Sequence, residues 1–201
     1  MSHAATASAP ALAPRDAPRV LWSIGTPDGS ASEFGLVEGK SVACEQYLEH
    51  FPSAIVHDAG RSPARAWPAM HPGPEARWGG NRLHTFRIRF PRPALAEGDL
   101  LFRFDLTETA ATRMRVALNG DSREIPVVSF GSPRWPPLGP PPDWIPDFHI
   151  PVPLERLRDG ENLLDLAVSQ GAWVTYDALW LEHHPRGVGG APRIIRAALV
   201  P

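Results

Sequence analysis

Two short stretches of this chain pair an indole with the polar groups that recognise sugars. WGGNRLH carries Trp78 with Asn81, Arg82 and His84, and DWIPD carries Trp144 with Asp143 and Asp147. The flat C–H faces of sugar rings stack on indole, while their hydroxyls pair with planar polar side chains. Trp67, Trp135 and Trp173 offer further indoles. Trp78, Asn81, Arg82, His84, Asp143, Trp144 and Trp173 are therefore the candidate carbohydrate-binding residues. Indoles also plug the ends of β-sandwiches, so residue type alone does not separate platform from plug.

Acid–base chemistry has weaker support. Glycoside cleavage needs two carboxyl groups on opposite sides of one bond. Asp143 with Asp147, and Glu45 with Glu49 on one helical face, are the available pairs. Surface acids at such spacings are common. His84 with Tyr176 could act as base and acid in an elimination, but nothing in the sequence brings them together. His183-His184 at a strand end reads as solvated. No HxH or HExxH pattern, P-loop, GxSxG or dinucleotide fingerprint occurs.

One acid stands out by position. Counting by two from Leu181 and Leu179 places Asp177 on the core face of the last strand, where a carboxylate needs donors or a cation. The early turn Thr26-Pro27-Asp28-Gly29-Ser30 supplies either: backbone N–H groups, or a calcium site shared by Asp28, Glu33 and Asp177. Hydrogen bonding alone is the simpler expectation, with these three residues structural. Ser30-Ala31-Ser32-Glu33 has capping-box spacing and predicts a short helix there.

The elements that must position these groups are strands. Phe86, Ile88 and Phe90 alternate with Arg87 and Arg89, and Leu100, Phe102, Phe104 and Leu106 continue the period of two. MRVALNG ends in Asn119-Gly120, a tight-turn signal, with SREIPVV returning as its partner and Pro126 marking an edge or bulge. FHIPVPL, NLLDLAV and WVTYDALWLEH read as three further strands, with a turn at Arg158–Asn162. Helix is confined to residues 30–37, 41–51 and a single turn at LERLR. The expected fold is all-β: an antiparallel jelly-roll β-sandwich with one or two short helices.

Residues 57–81 and 131–146 read as long loops; the second holds seven prolines and two tryptophans. The first 19 residues are Ala-, Pro- and Ser-rich with no apolar h-region, so they read as a disordered linker and not a signal peptide. Residues 20–184 form the expected sandwich, and 185–201 a tail or the start of a following segment. The 201 residues carry a net charge of -2, which favours neither nucleic acid nor an anionic membrane. No apolar run reaches the roughly 20 residues of a membrane span. Cys44 is alone, which rules out an intrachain disulfide or a cysteine metal cluster.

LWSIGTPDGSASEF resembles the opening of the third, carbohydrate-binding-like domain of the family 4 polysaccharide lyases, the rhamnogalacturonan lyases. LRDGENLLDLAVSQGAWVTYDALWLE is similar to the end of that domain, and HPGPEARWGGNRLHTFRIRF and MRVALNG fall where its intervening strands lie. The resemblance covers residues 20–183. It implies a galactose-binding-like jelly roll, an accessory role beside a catalytic module, an extracellular or periplasmic setting, and catalytic residues in another domain. Ser23 stands where such openings commonly carry Gln, and 131–146 has no evident counterpart.

The reading that follows is a non-catalytic carbohydrate-binding module accessory to a lyase or glycoside hydrolase. Its partners are a polysaccharide and a neighbouring catalytic domain, with no catalytic residue of its own. The alternatives are a scaffold domain that packs on a catalytic module without binding sugar, and a small stand-alone lyase or hydrolase.

Overall fold

In a computed structural model of the chain, the structure describes residues 17–36, 40–52, 54–95, 97–127 and 148–185. The expected linker up to residue 16, most of the tail, and the proline-rich stretch with Trp135, Asp143, Trp144 and Asp147 lie outside the described residues.

Strands dominate. They are β1 (Arg19–Gly25), β2 (Ile55–Asp58), β3 (Met70–Pro72), β4 (Phe86–Pro91), β5 (Asp99–Leu118), β6 (Asp121–Pro126), β7 (Phe148–Val152) and β8 (Glu161–His184), with one α-helix among the described residues, α1 (Lys40–His50). This is the all-β class expected, with one correction of anatomy. DLLFRFDL and MRVALNG are halves of one 20-residue strand, β5, and NLLDLAV and WVTYDALWLEH are halves of the 24-residue β8.

β5 and β8 pair antiparallel along their lengths and divide the sheet into two halves. The early part of β8 pairs with β4, which carries β2 in parallel, while β6 flanks the late part of β5. The late part of β8 pairs with β3 and β1, and the early part of β5 with β7. Register shifts between Asp105 and Met114 mark where the long pair changes direction. Bulges increase local twist and let one strand serve two layers.

At the same bend Gly171 takes φ +101, and a Cβ there would sit 2.6 Å from the Ala111 Cα and 2.7 Å from the Ala110 carbonyl oxygen. Only glycine fits so close to a neighbouring backbone. At the far end of β5, Asn119 and Gly120 adopt φ 53 and 95, the doubly left-handed turn that their sequence predicts.

The core lies between the two halves. Trp22 of β1 packs 5.7 Å from Phe90 of β4, and Trp67 touches both Phe86 (5.2 Å) and Tyr176 (5.7 Å). Trp67 is fully buried, so this indole is a plug and not a ligand platform. On the outer face Arg87 grips Asp165 and Arg89 grips Asp58 through paired hydrogen bonds of 2.6–2.9 Å. Both pairs are partly solvated, and exposed pairs add little to stability, so they align neighbouring strands while the apolar core supplies most of the stability. Among the described residues no helix is long and apolar enough to cross a membrane.

Of the helix expected at 30–37, the described residues 30–36 form a turn. Glu33 does not close a capping box on Ser30; its Oε1 accepts from the Thr26 N–H at 2.7 Å, while Ser30 Oγ accepts from Ser32 N–H. With Glu33 drawn back to Thr26, the first helical turn loses the reciprocal bond that would nucleate it. Residues 57–81, expected as loop throughout, contain β3 and the end of β2.

Candidate functional site

The early turn closes on the last strand. Asp177 accepts hydrogen bonds from Gly29 N–H (3.1 and 3.2 Å to its two oxygens) and Ser30 N–H (3.1 Å), and Asp28 Oδ1 accepts a second bond from Ser30 N–H. Asp177 is 7% exposed, so its carboxylate exchanges water for backbone donors. Each of the three acids already spends an oxygen on backbone N–H, and among the described residues no group of three or more His, Cys, Asp or Glu side chains could hold a metal ion. Replacing Asp177 with alanine strands the Gly29 amide and leaves the Ser30 amide only its bond to Asp28, and should cost about 1–3 kcal/mol. Thermal melting measures that loss, and hydrogen exchange at the Gly29 and Ser30 amides should accelerate; unchanged exchange there would contradict the role.

A second tie is a buried chain. His71 Nε2 lies 2.9 Å from the His84 carbonyl oxygen, which only accepts, so Nε2 carries the proton. Nδ1 then accepts from the Tyr176 hydroxyl at 2.8 Å, and the ring stacks on Phe86 at 3.6 Å. His84 in turn donates from Nε2 to the Gly79 carbonyl at 2.7 Å. Burial pushes the His71 ring down to about 3 and the Tyr176 hydroxyl well above its ordinary value. Tyr176 is fully buried and His71 stands between it and His84, so these two groups do not form an accessible acid–base pair.

The chain of bonds fixes the loop that bears Trp78. That residue sits in a 3₁₀ turn, Arg77–Gly79, followed by Gly80 and Asn81 in left-handed conformations. Trp78 is half-buried, its ring edge-on to Tyr47 of α1 at 5.3 Å; Tyr47 also meets His84 at 5.5 Å and Phe51 at 5.5 Å. Asn81 and Arg82 are exposed beside it, as are Leu83 and Leu48. The structure thus brings Trp78, Asn81 and Arg82 together at one surface, and draws His84 beneath them as a fastening.

Trp173 is half-buried on β8 opposite Pro72. The Pro72 ring abuts Gly79, which places Trp173 at the same end of the fold as Trp78. Of the two acid pairs, Glu45 and Glu49 are exposed on α1.

One polar cluster went unforeseen. Trp180 donates from Nε1 to Glu182 at 2.7 Å, His184 Nε2 lies 3.1 Å from the same carboxylate, and Arg103 stands over the indole at 5.0 Å while bonding Glu182. Burial alone would raise the Glu182 carboxyl, but the bonds from Trp180 and His184 and the Arg103 guanidinium outweigh it and hold it below its ordinary value. Trp180, Glu182 and His184 alternate in the sequence and Arg103 is their cross-strand neighbour, a pattern visible only once β5 and β8 are paired.

The chain matches the CBM-like domain, domain III, of polysaccharide lyase family 4 over residues 20–181. Among solved structures it is similar to BpGH86A, a β-porphyranase of glycoside hydrolase family 86 from the human gut bacterium Bacteroides plebeius. That similarity is 15% identity over 57% of this chain and 19% of that chain, at a TM-score of 0.34. No curated protein matches the chain. The matched span takes in the opening motif and all but the last residue of the closing one, and the chain belongs to the CBM-like third domains of polysaccharide lyase family 4.

Proposed function

We propose that this domain is a non-catalytic carbohydrate-binding module, accessory to a polysaccharide-degrading enzyme, which receives saccharide on the Trp78 surface. The observation that carries the reading is the fixed half-exposed indole of Trp78 with Asn81 and Arg82 exposed beside it. A platform held by Tyr47 and by the His84–Gly79 bond loses little freedom when a sugar stacks on it. Membership of a CBM-like family supports the same conclusion.

Titration of intrinsic tryptophan fluorescence with pectic, mannan and xylan oligosaccharides tests it. One class should shift the emission, and Trp78→Ala should weaken that binding by about tenfold, the effect of losing an aromatic anchor. No response to any of the three classes would count against saccharide binding.

The scaffold reading has its own observation. Val20 is 55% exposed at the β1 edge, beside an open groove of about 370 Å³ formed with Trp22, Pro91 and Pro93. If this domain serves only to pack on a catalytic module, Val20→Asp should abolish that association and leave every saccharide titration flat.

A further inference from the structure

Three acid- or amide-bearing residues of this chain precede a glycine: Asp28-Gly29, Asn119-Gly120 and Asp159-Gly160. Such pairs can cyclise, because a glycine has no Cβ to keep its nitrogen away from the carboxyl or amide carbon of the residue before it. All three glycines hold a positive φ, and a Cβ on any of them would meet nothing within 4 Å. The glycine side is therefore alike in the three turns. They differ in how the fold holds the preceding side chain and the amide that would attack it.

At Asp28 the attacking group is spent. Gly29 N–H donates to both oxygens of Asp177, and Asp28 Oδ1 itself accepts from Ser30 N–H at 2.9 Å. Asn119 is held at both ends of its amide. Its Nδ2 donates to the Arg156 carbonyl at 3.1 Å and to Asn162 Oδ1 at 2.9 Å, while its Oδ1 accepts from Leu163 N–H at 3.0 Å. Turning either side chain onto the next nitrogen must first break these bonds. Asp159 is different. Its side chain is 100% exposed, with the Arg92 guanidinium 3.4 Å away, and an ion pair so open to water restrains little. The Gly160 carbonyl accepts from Arg92 N–H, but the Gly160 N–H donates no hydrogen bond among the described residues.

We propose that Asp159-Gly160 is a modification site, where the folded chain forms a succinimide and from it isoaspartate, while the fold shields Asp28 and Asn119. The Gly160 nitrogen bonds to Asp159 Cγ and gives up its proton. One carboxylate oxygen takes that proton and another from solvent, and leaves as water. Water then adds back to the ring. Attack at Cγ restores aspartate, whereas attack at the main-chain carbonyl carbon breaks its bond to the Gly160 nitrogen and leaves the chain running through Cγ, one atom longer. That atom enters the turn fastened by Asn162, whose Oδ1 accepts from Arg158 N–H at 2.8 Å and whose Nδ2 donates to the Arg158 carbonyl at 3.2 Å. Asn162 is fully buried and also holds Asn119, so a longer turn loosens both turns at that end of the fold.

Ageing the whole protein in buffer, beside a second sample in urea at the same pH, tests the assignment by peptide mapping of isoaspartate at the three positions. Asp159 should isomerise at the same rate in both samples. Asp28 and Asn119 should react about tenfold or more slower in buffer than in urea, the penalty of opening hydrogen bonds before the ring can close. In the aged protein the Arg158 amide should lose hydrogen-exchange protection. Asp159→Glu, whose longer side chain closes a larger and slower ring, should keep that protection through the same ageing. If folding slows Asp159 as much as Asn119, or if Asn119 reacts as fast folded as in urea, the assignment is overturned. Equal loss of Arg158 protection in the parent and in Asp159→Glu would overturn the link between the modification and the turn.

Discussion

Gly171→Ala should destabilise the domain by about 3–5 kcal/mol, the combined scale of a disallowed backbone conformation and an overpacked contact. The new methyl would press on the Ala111 Cα and the Ala110 carbonyl, both main-chain atoms with no rotamer to yield. Relief is blocked behind it as well, because a Cβ on Gly73 would stand only 2.5 Å from the Gly171 carbonyl oxygen, so that loop is already in close contact. Against the roughly 5–15 kcal/mol of a typical domain, such a loss leaves a marginal fold. Urea unfolding of the variant should show a much lower midpoint, and a shift of less than about 1 kcal/mol would mean that the bend is softer than its contacts imply.

The second large effect is acid lability. His71 is neutral in the fold, pushed down to about 3 by burial against an opposing contribution from its bond to the His84 carbonyl, while an unfolded histidine titrates near 6.5. Between those values the unfolded chain holds a proton that the native state refuses, so stability falls as pH falls. The contribution is fully present above about 6.5 and disappears by roughly 1.4 kcal/mol per pH unit below it. His57 and His84 are also lowered by burial and act in the same direction.

At pH 4.5 the loss from His71 alone should reach about 3 kcal/mol relative to pH 7. His71→Gln should be less stable than the parent at neutral pH, having lost the bonds to Tyr176 and His84. The gap should then narrow as the pH drops, because the variant lacks the titrating ring. Urea unfolding at pH 7, 6 and 5 follows that gap, and a constant difference would show that His71 is not the group responsible.

Much of the strand content was legible because one face of each strand is buried. Phe86, Ile88 and Phe90 alternate with three exposed or half-exposed partners in the structure as in the sequence. The continuity of β5 was not legible. Its middle, Thr107 to Thr112, has no large apolar residue to keep the period, and the register shifts there would scramble any alternation. β2 and β3 escaped notice for being four and three residues long, β3 ending in a proline. The turn after β1 misled for a different reason. S-x-x-E is a local signal, and Glu33 found the Thr26 amide instead.

For the site, WGGNRLH was readable as a motif, but its chemistry was divided only by burial. Trp78, Asn81 and Arg82 reach the surface while His84 turns inward to Gly79. Trp67 looked identical to the other indoles until the two halves of the sheet closed over it.

β8 pairs with β1, β3, β4 and β5, and among the described strands it is also the last to leave the ribosome. Until it emerges, β1 and β3 have no strand to join, and the turn at Gly29 and Ser30 has no carboxylate to receive its amides. Among the described strands, only the β5–β6 hairpin, its β7 neighbour and the β2–β4 pair can form earlier. Closure therefore waits on contacts between residues nearly 150 positions apart, such as Gly29 with Asp177, the kind of topology that folds slowly. A nascent chain of this domain leaves Trp22, Phe90 and Phe102 uncovered from their synthesis until β8 emerges, and apolar surface exposed in that interval is open to misassociation.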